Sequence, residues 1–170
     1  MIRLGISACL LGQNVRYAGA HQHDRFLTDT LGRYVTYVPV CPEVECGLSV
    51  PREAMRLVGT VDSQRLVTIS TKNDITEQLM VWARKRVREL ESEGLHGFIF
   101  KSKSPSCGMR WVKLYSHLDA EPAHKGMGLF VRAFREHFPF LPCEEDGCLH
   151  DPVMREKFIE RVRQSGQKKL

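Results

Sequence analysis

Three short β-favouring runs each lead into a loop that carries a cysteine, and this repeat constrains the fold more than any other feature. Ile2 to Ala8 alternates apolar and small residues up to Cys9. Tyr34 to Val40 is β-branched and aromatic up to Cys41. His96 to Phe100 is an apolar run typical of a buried parallel strand, and it opens the loop Lys101 to Gly108 around Cys107. Helical patterns fall between and after these runs. Phe26 to Gly32 predicts a short helix closed by its glycine. From Asp74, with Glu77 placed as in a capping box, Ile75, Leu79, Trp82, Ala83, Val87 and Leu90 recur at helical spacing until Gly94. Leu129, Phe130, Ala133, Phe134 and His137 mark a second amphipathic helix. Asp151-Pro152 starts a third, with Met154, Phe158, Ile159 and Val162 on its apolar face. Met55–Thr60 and Arg65–Thr71 predict a hairpin, Trp111–Tyr115 a further strand, and Ser165–Leu170 a frayed polar tail.

Strands alternating with helices predict an α/β domain, a mainly parallel sheet with flanking helices in a Rossmann-like three-layer arrangement. In such sheets ligands bind beyond the carboxyl ends of the strands, so the three cysteine loops are expected to meet at one edge. Composition fits a folded domain: 42% of the 170 residues are hydrophobic and 26% charged, which excludes disorder and low complexity for the bulk of the chain. No apolar run approaches the ~20 residues of a membrane span. The start, MIRLGISACLLGQ, lacks the basic leader and long apolar core of an export signal, so a cytoplasmic location is expected. A net charge of +5 falls short of a nucleic-acid-binding stripe but suits a polyanionic substrate.

Six cysteines stand at 9, 41, 46, 107, 143 and 148. In a reducing compartment metal or catalytic roles gain weight over disulfides. Three thiolates converging from three loops suit a soft metal centre. A rival pattern pairs Cys41 with Cys46 and Cys143 with Cys148, two C-x4-C pairs able to hold a structural zinc in a nucleic-acid-binding module, and a redox or electron-transfer cluster is a further reading. His21, His23 and Asp24 form either a metal-like cluster or a solvated loop. Arg84-Lys85-Arg86 with Arg88 is either a solvated helix face or a grip on phosphates.

Five segments occur in order: Ser7-Ala8-Cys9-Leu10-Leu11-Gly12, Val15-Arg16-Tyr17-Ala18-Gly19, Val40-Cys41-Pro42-Glu43-Val44, Gly47-Leu48-Ser49-Val50-Pro51-Arg52, and Lys101-Ser102-Lys103-Ser104-Pro105-Ser106-Cys107-Gly108. Together they resemble the 2-thiouracil desulfurase family. The resemblance implies a 4Fe-4S cluster held by Cys9, Cys41 and Cys107 with one iron open. It implies catalytic roles for Glu43, with Glu45 as the second candidate, and for Ser104, with Ser102 and Ser106 behind it. Ser102, Ser106, Arg16 and Tyr17 are candidates for substrate binding, and Cys46, Cys143 and Cys148 are left structural. The expected reaction is non-redox desulfurization of thiouracil or thiouridine: a soft thiocarbonyl sulfur meets a soft Lewis acid, water attacks the ring carbon, and hydrosulfide leaves. The implied organisation is an iron–sulfur desulfurase domain over 1–138 and an extension over 139–170 with one helix and a basic tail. That extension resembles the connector of longer relatives associated with tRNA thiouridine, which keeps tRNA beside the free base as an expected substrate.

Overall fold

A computed structural model of the chain describes residues 2–167. Its strands are β1 (Ile2–Ser7), β2 (Val35–Val40), β3 (Met55–Gly59), β4 (Gln64–Thr68), β5 (Gly97–Phe100), β6 (Val112–Tyr115), β7 (Pro122–Gly126) and β8 (Cys143–Glu145). Its α-helices are α1 (Pro42–Glu45), α2 (Thr76–Ser92), α3 (Leu129–His137) and α4 (Pro152–Gln167). The strands divide between two four-stranded sheets. The first has the order β2-β1-β5-β8 and is parallel throughout. The second has the order β4-β3-β6-β7, with a parallel β3–β6 pair between two antiparallel hairpins.

The expected parallel sheet is therefore present, but it is not the only sheet. The physical reason lies in burial. All four residues of β5 are buried, as a strand covered on both faces requires. In β6, Lys113 stays exposed between buried Val112 and Leu114, so this strand has one wet face and suits a mixed sheet.

Two apolar cores cover the two faces of the parallel sheet. Leu4, Ile6 and Ile99 pack with Leu27, Leu31 and, from α4, Phe158 and Val162. On the other face Val40, Phe98 and Phe100 meet Leu79, Ala83 and Val87 of α2, Phe130 and Phe134 of α3, and Leu57, Leu66 and Leu114 of the second sheet. Phe98 stacks on Phe100 with centroids 4.1 Å apart and meets Phe134 edge to face at 4.9 Å. Gly5 makes room for this cluster: a Cβ there would lie 2.2 Å from the Phe98 ring.

Several local expectations are revised. The helix expected at Phe26–Gly32 is a wide turn over Phe26–Thr30 followed by a tight one over Leu31–Arg33. Helix α2 starts at Thr76, and Asp74 Oδ1 accepts the Thr76 amide N–H at 2.9 Å. Strands β7 and β8 were not expected. The tail expected to fray from Ser165 continues α4 to Gln167, and 168–170 lie outside the described residues. Beyond residue 138, β8 extends the parallel sheet beside β5 and α4 closes one of its faces. Among the described residues no helix is long and apolar enough to cross a membrane.

Candidate active site

β1, β2 and β5 are neighbours, and Ser7↔Val40 and Ile6↔Ile99 are paired in register. Parallel pairing in this register brings all three carboxyl ends to one edge. Cys9 lies in the tight turn Ala8–Leu11, Cys41 directly follows β2, and Cys107 sits in the loop after β5. All three thiols line one cavity of about 310 Å³. They lie within electrostatic reach of one another: Cys107 feels both Cys41 and Cys9, and Cys9 feels Cys41. Burial pushes the Cys9 thiol up to about 11, against the opposing pull of Arg16 and Lys101. Burial also raises Cys41, and raises Cys107 further still, where hydrogen bonds from Ser7 and Ser106 only partly offset it. Among the described residues no three His, Cys, Asp or Glu side chains close up tightly enough to grip a single metal ion. The three thiols surround a space instead.

The Cys107 loop is fixed by the start of α3. Phe130 N–H donates to the Ser106 carbonyl at 3.1 Å, and Gly128 N–H donates to the Gly108 carbonyl at 2.8 Å. A Cβ on Gly128 would fall 2.5 Å from the Ser106 carbonyl group, so only glycine permits this approach.

Glu43 faces the same cavity from α1. Its Oε2 accepts from Arg52 Nε at 2.8 Å and lies 2.6 Å from Arg52 Nη2, with both side chains nearly buried. Its Oε1 accepts the Ser106 hydroxyl at 3.0 Å. Ser106 Oγ in turn lies 3.1 Å from Ser104 Oγ, and Ser104 Oγ accepts the Cys107 amide N–H at 3.1 Å. Because the Ser106 proton is committed to Glu43, Ser104 is the donor in the serine pair. The hydroxyl touching the carboxylate is thus Ser106, with Ser104 one hydrogen bond behind it. Glu45 is turned elsewhere: its Oε1 accepts the Cys41 amide N–H at 2.9 Å and its Oε2 pairs with Arg86 at 3.0 Å. It caps α1, and it does not line the cavity.

Ser102, Arg16 and Tyr17 also line the cavity. The Arg16 guanidinium lies 6.0 Å from the centroid of the half-exposed Tyr17 ring. Ser102 Oγ accepts from Lys101 Nζ at 3.1 Å, and Lys101 Nζ pairs with Asp146 at 2.8 Å. Burial opposes ionisation of Asp146, but hydrogen bonds and charge from Lys101 and Ser102 outweigh it and hold the carboxyl below its ordinary value.

Sequence reasoning missed Arg52 and Asp146. Arg52 ends a quoted motif, Pro51-Arg52, and that was its only signal. Asp146 gave none, since it meets Lys101 across 45 positions. The zinc reading loses its geometry. Cys41 follows β2 and Cys143 opens β8, at opposite edges of the parallel sheet and at opposite ends of its strands. Three inter-strand spacings alone separate them by roughly 14 Å. His21, His23 and Asp24 form no metal group either. His23 bonds Thr28, while Asp24 caps Phe26 and Leu27 and holds His150 at 2.7 Å.

The sequence profile of the 2-thiouracil desulfurase family matches residues 4–146. An uncharacterized protein YbbK of Bacillus subtilis (strain 168) is 29% identical over 112 residues, 63% of this chain and 74% of that protein. Among solved structures, the [4Fe-4S]-dependent thiouracil desulfidase TudS superposes with a TM-score of 0.72 at 26% identity, covering 92% of this chain and 99% of that one. With the profile spanning most of its length and a thiouracil desulfidase sharing its fold, this chain belongs to the 2-thiouracil desulfurase family.

Proposed function

We propose that the chain converts the thiocarbonyl of a thiouracil or thiouridine-type base to a carbonyl without net electron transfer, using a 4Fe-4S cluster held by Cys9, Cys41 and Cys107 with one iron left open. The observation that carries this reading is the cavity ringed by those three thiols, with Glu43 and its hydroxyl chain on the wall. The donor set fits the group: thiolate is the usual ligand of iron–sulfur clusters, and three thiols leave one of four corners unprotected. When bound, the cluster supplies a soft Lewis acid for the thiocarbonyl sulfur.

The remaining work falls to the protein's own side chains. Arg52 and Ser106 fix both oxygens of Glu43, so the carboxylate faces the cavity in one orientation. From there Glu43 takes a proton from the attacking water, a role that needs a carboxylate within hydrogen-bond reach of the attack line. Glu43 gives that proton up again to the departing sulfur, while the Ser104–Ser106 donor chain holds its Oε1 in place. Arg16 and Tyr17 form the mouth through which the ring enters. The balance needs no external electrons: water oxygen becomes the carbonyl oxygen, one water proton leaves with the sulfur as hydrosulfide, and the other is released to solvent.

The test is anaerobic incubation of cluster-loaded protein with 2-thiouracil and no reductant. Uracil and hydrosulfide formed in equal amounts over many turnovers support the proposal. A requirement for one reductant equivalent per turnover rejects it.

A further inference from the structure

A second cavity, of about 410 Å³, lies among the β3–β4 turn, the residues that follow Cys107, and α3, and shares no lining residue with the thiol cavity. Val61, Met109 and Met127 are its apolar lining, and Arg110, Lys125 and Arg132 line it too, with no carboxylate in the lining. Trp111 stands in its wall, 71% exposed. The Trp111 backbone has φ +59°, in the left-handed region that a bulky residue occupies only at a steric cost and that glycine takes freely. A chain that needed only a turn here would place glycine or asparagine. An indole held out to solvent on a strained backbone points to a use for the ring.

The surrounding charges narrow that use. Arg110 is paired with Glu144. The ion pairs among the described residues leave Lys125 and Arg132 without a carboxylate. Arg132 is nonetheless held in place, since its Nη2 donates to the Val61 carbonyl at 2.9 Å. On the neighbouring hairpin the exposed Lys113, which faces His124 across β6 and β7, extends the cationic surface. An exposed aromatic face flanked by unneutralised cations matches a ligand with flat bases and regularly spaced anions, as in single-stranded nucleic acid.

We propose that this groove is a stacking platform for single-stranded RNA, with a base on Trp111 and phosphates at Arg132 and Lys125. RNA is favoured over DNA because the proposed reaction acts on uracil-type bases, and to that extent the inference rests on the reading above. The platform is joined to the cysteine loop. Trp111 follows Cys107 by four positions, and Met127 adjoins the Gly128 that packs on Ser106. RNA bound here is thereby held on the same rigid segment as the thiol cavity.

The test is fluorescence anisotropy of a labelled ten-residue oligouridylate with the full, cluster-loaded chain. This probe carries no sulfur, so its binding is independent of turnover. Trp111→Ala is expected to weaken binding about tenfold or more, and Trp111→Tyr to restore most of it. Lys125→Gln with Arg132→Gln is expected to lower the slope of log K against log salt by about 1.4, the loss of two single-strand phosphate contacts. Turnover of free 2-thiouracil in all these variants should match the parent. Unchanged oligouridylate binding in Trp111→Ala, or equal binding of the deoxythymidylate counterpart, overturns the proposal. Failure of the parent to desulfurate 2-thiouracil overturns the catalytic reading instead and leaves the binding result standing.

Discussion

Arg52 and Glu43 form an ion pair from which water is nearly excluded, with 8% and 13% of their side chains exposed. The same guanidinium donates to the Val15 and Ser49 carbonyls at 2.8 and 3.1 Å, so one side chain binds α1 to the loop after Cys9. Arg52→Ala would strand a buried carboxylate, and breaking such a pair costs about 3–5 kcal/mol. Arg52→Lys keeps the charge but loses the planar fork that serves three acceptors at once. Thermal denaturation should rank the proteins parent, then Lys, then Ala. Turnover of 2-thiouracil should fall in both variants. A fully active Arg52→Ala protein would refute the positioning of Glu43 by Arg52.

The two acids of α1 should separate cleanly. Glu43→Gln keeps the side-chain shape but loses the proton acceptor, and turnover should drop about 100-fold or more with iron content unchanged. Glu45→Ala removes a cap from the Cys41 amide, so it should cost about 0.5–2 kcal/mol of stability and leave the chemical step near parental rate. Single-turnover kinetics beside a melting curve checks both. The reverse ranking would transfer the acid–base role to Glu45.

The serines should differ in degree. Ser106→Ala removes the only hydroxyl touching Glu43 among the described residues, and isolates Ser104 from it. Ser104→Ala leaves the Ser106–Glu43 bond in place. Turnover is expected to fall further in Ser106→Ala than in Ser104→Ala, measured on samples of equal iron content. A larger loss at Ser104 would make that hydroxyl the one that meets the substrate.

Iron and acid-labile sulfide after anaerobic preparation should depend on three thiols alone. Cys9→Ala, Cys41→Ala and Cys107→Ala are expected to lose both, and Cys46→Ala and Cys148→Ala to retain both. Cys143 is buried in the core beside Phe98, so its alanine variant should lose stability yet keep iron. Retention of a full complement by Cys107→Ala would refute the assignment.

Acid should loosen the Cys107 loop through Asp146. Its folded carboxyl is held below the ordinary 3.8, so the Lys101 and Ser102 contacts stabilise the native state fully above that value. The contribution is lost as pH falls through the depressed folded value. Melting temperature against pH should therefore show an acid limb below about 3.8 that is shallower in Asp146→Asn. Equal slopes in the two proteins would count against the linkage.

The cysteine trio was legible because each thiol follows a β-favouring run, and parallel neighbours deliver their carboxyl ends to one edge. Helices α2, α3 and α4 were legible from their apolar spacing. β7 was not: Pro-Ala-His-Lys-Gly has no β-branched residue, and its place is set by pairing with β6. β8 was hidden for a different reason. Two successive glutamates are unlike a buried strand, yet Glu144 and Glu145 are both buried, one against Arg110 and the other accepting the Met109 and Arg110 amides. The second sheet was missed because β3 meets β6 across more than fifty residues, a pairing that no local pattern encodes. Asp146 escaped likewise, through a partner 45 positions away in sequence.

The central strand β1 has one further consequence. Its partner on one side lies about thirty residues on, but on the other Leu4 meets Gly97. Closing so long a loop costs conformational entropy that the β1–β5 pairing has to offset. Cys9 and Cys107 therefore stand at one edge only once β1 and β5 have paired, and a chain that has not made this pairing holds the two thiols apart.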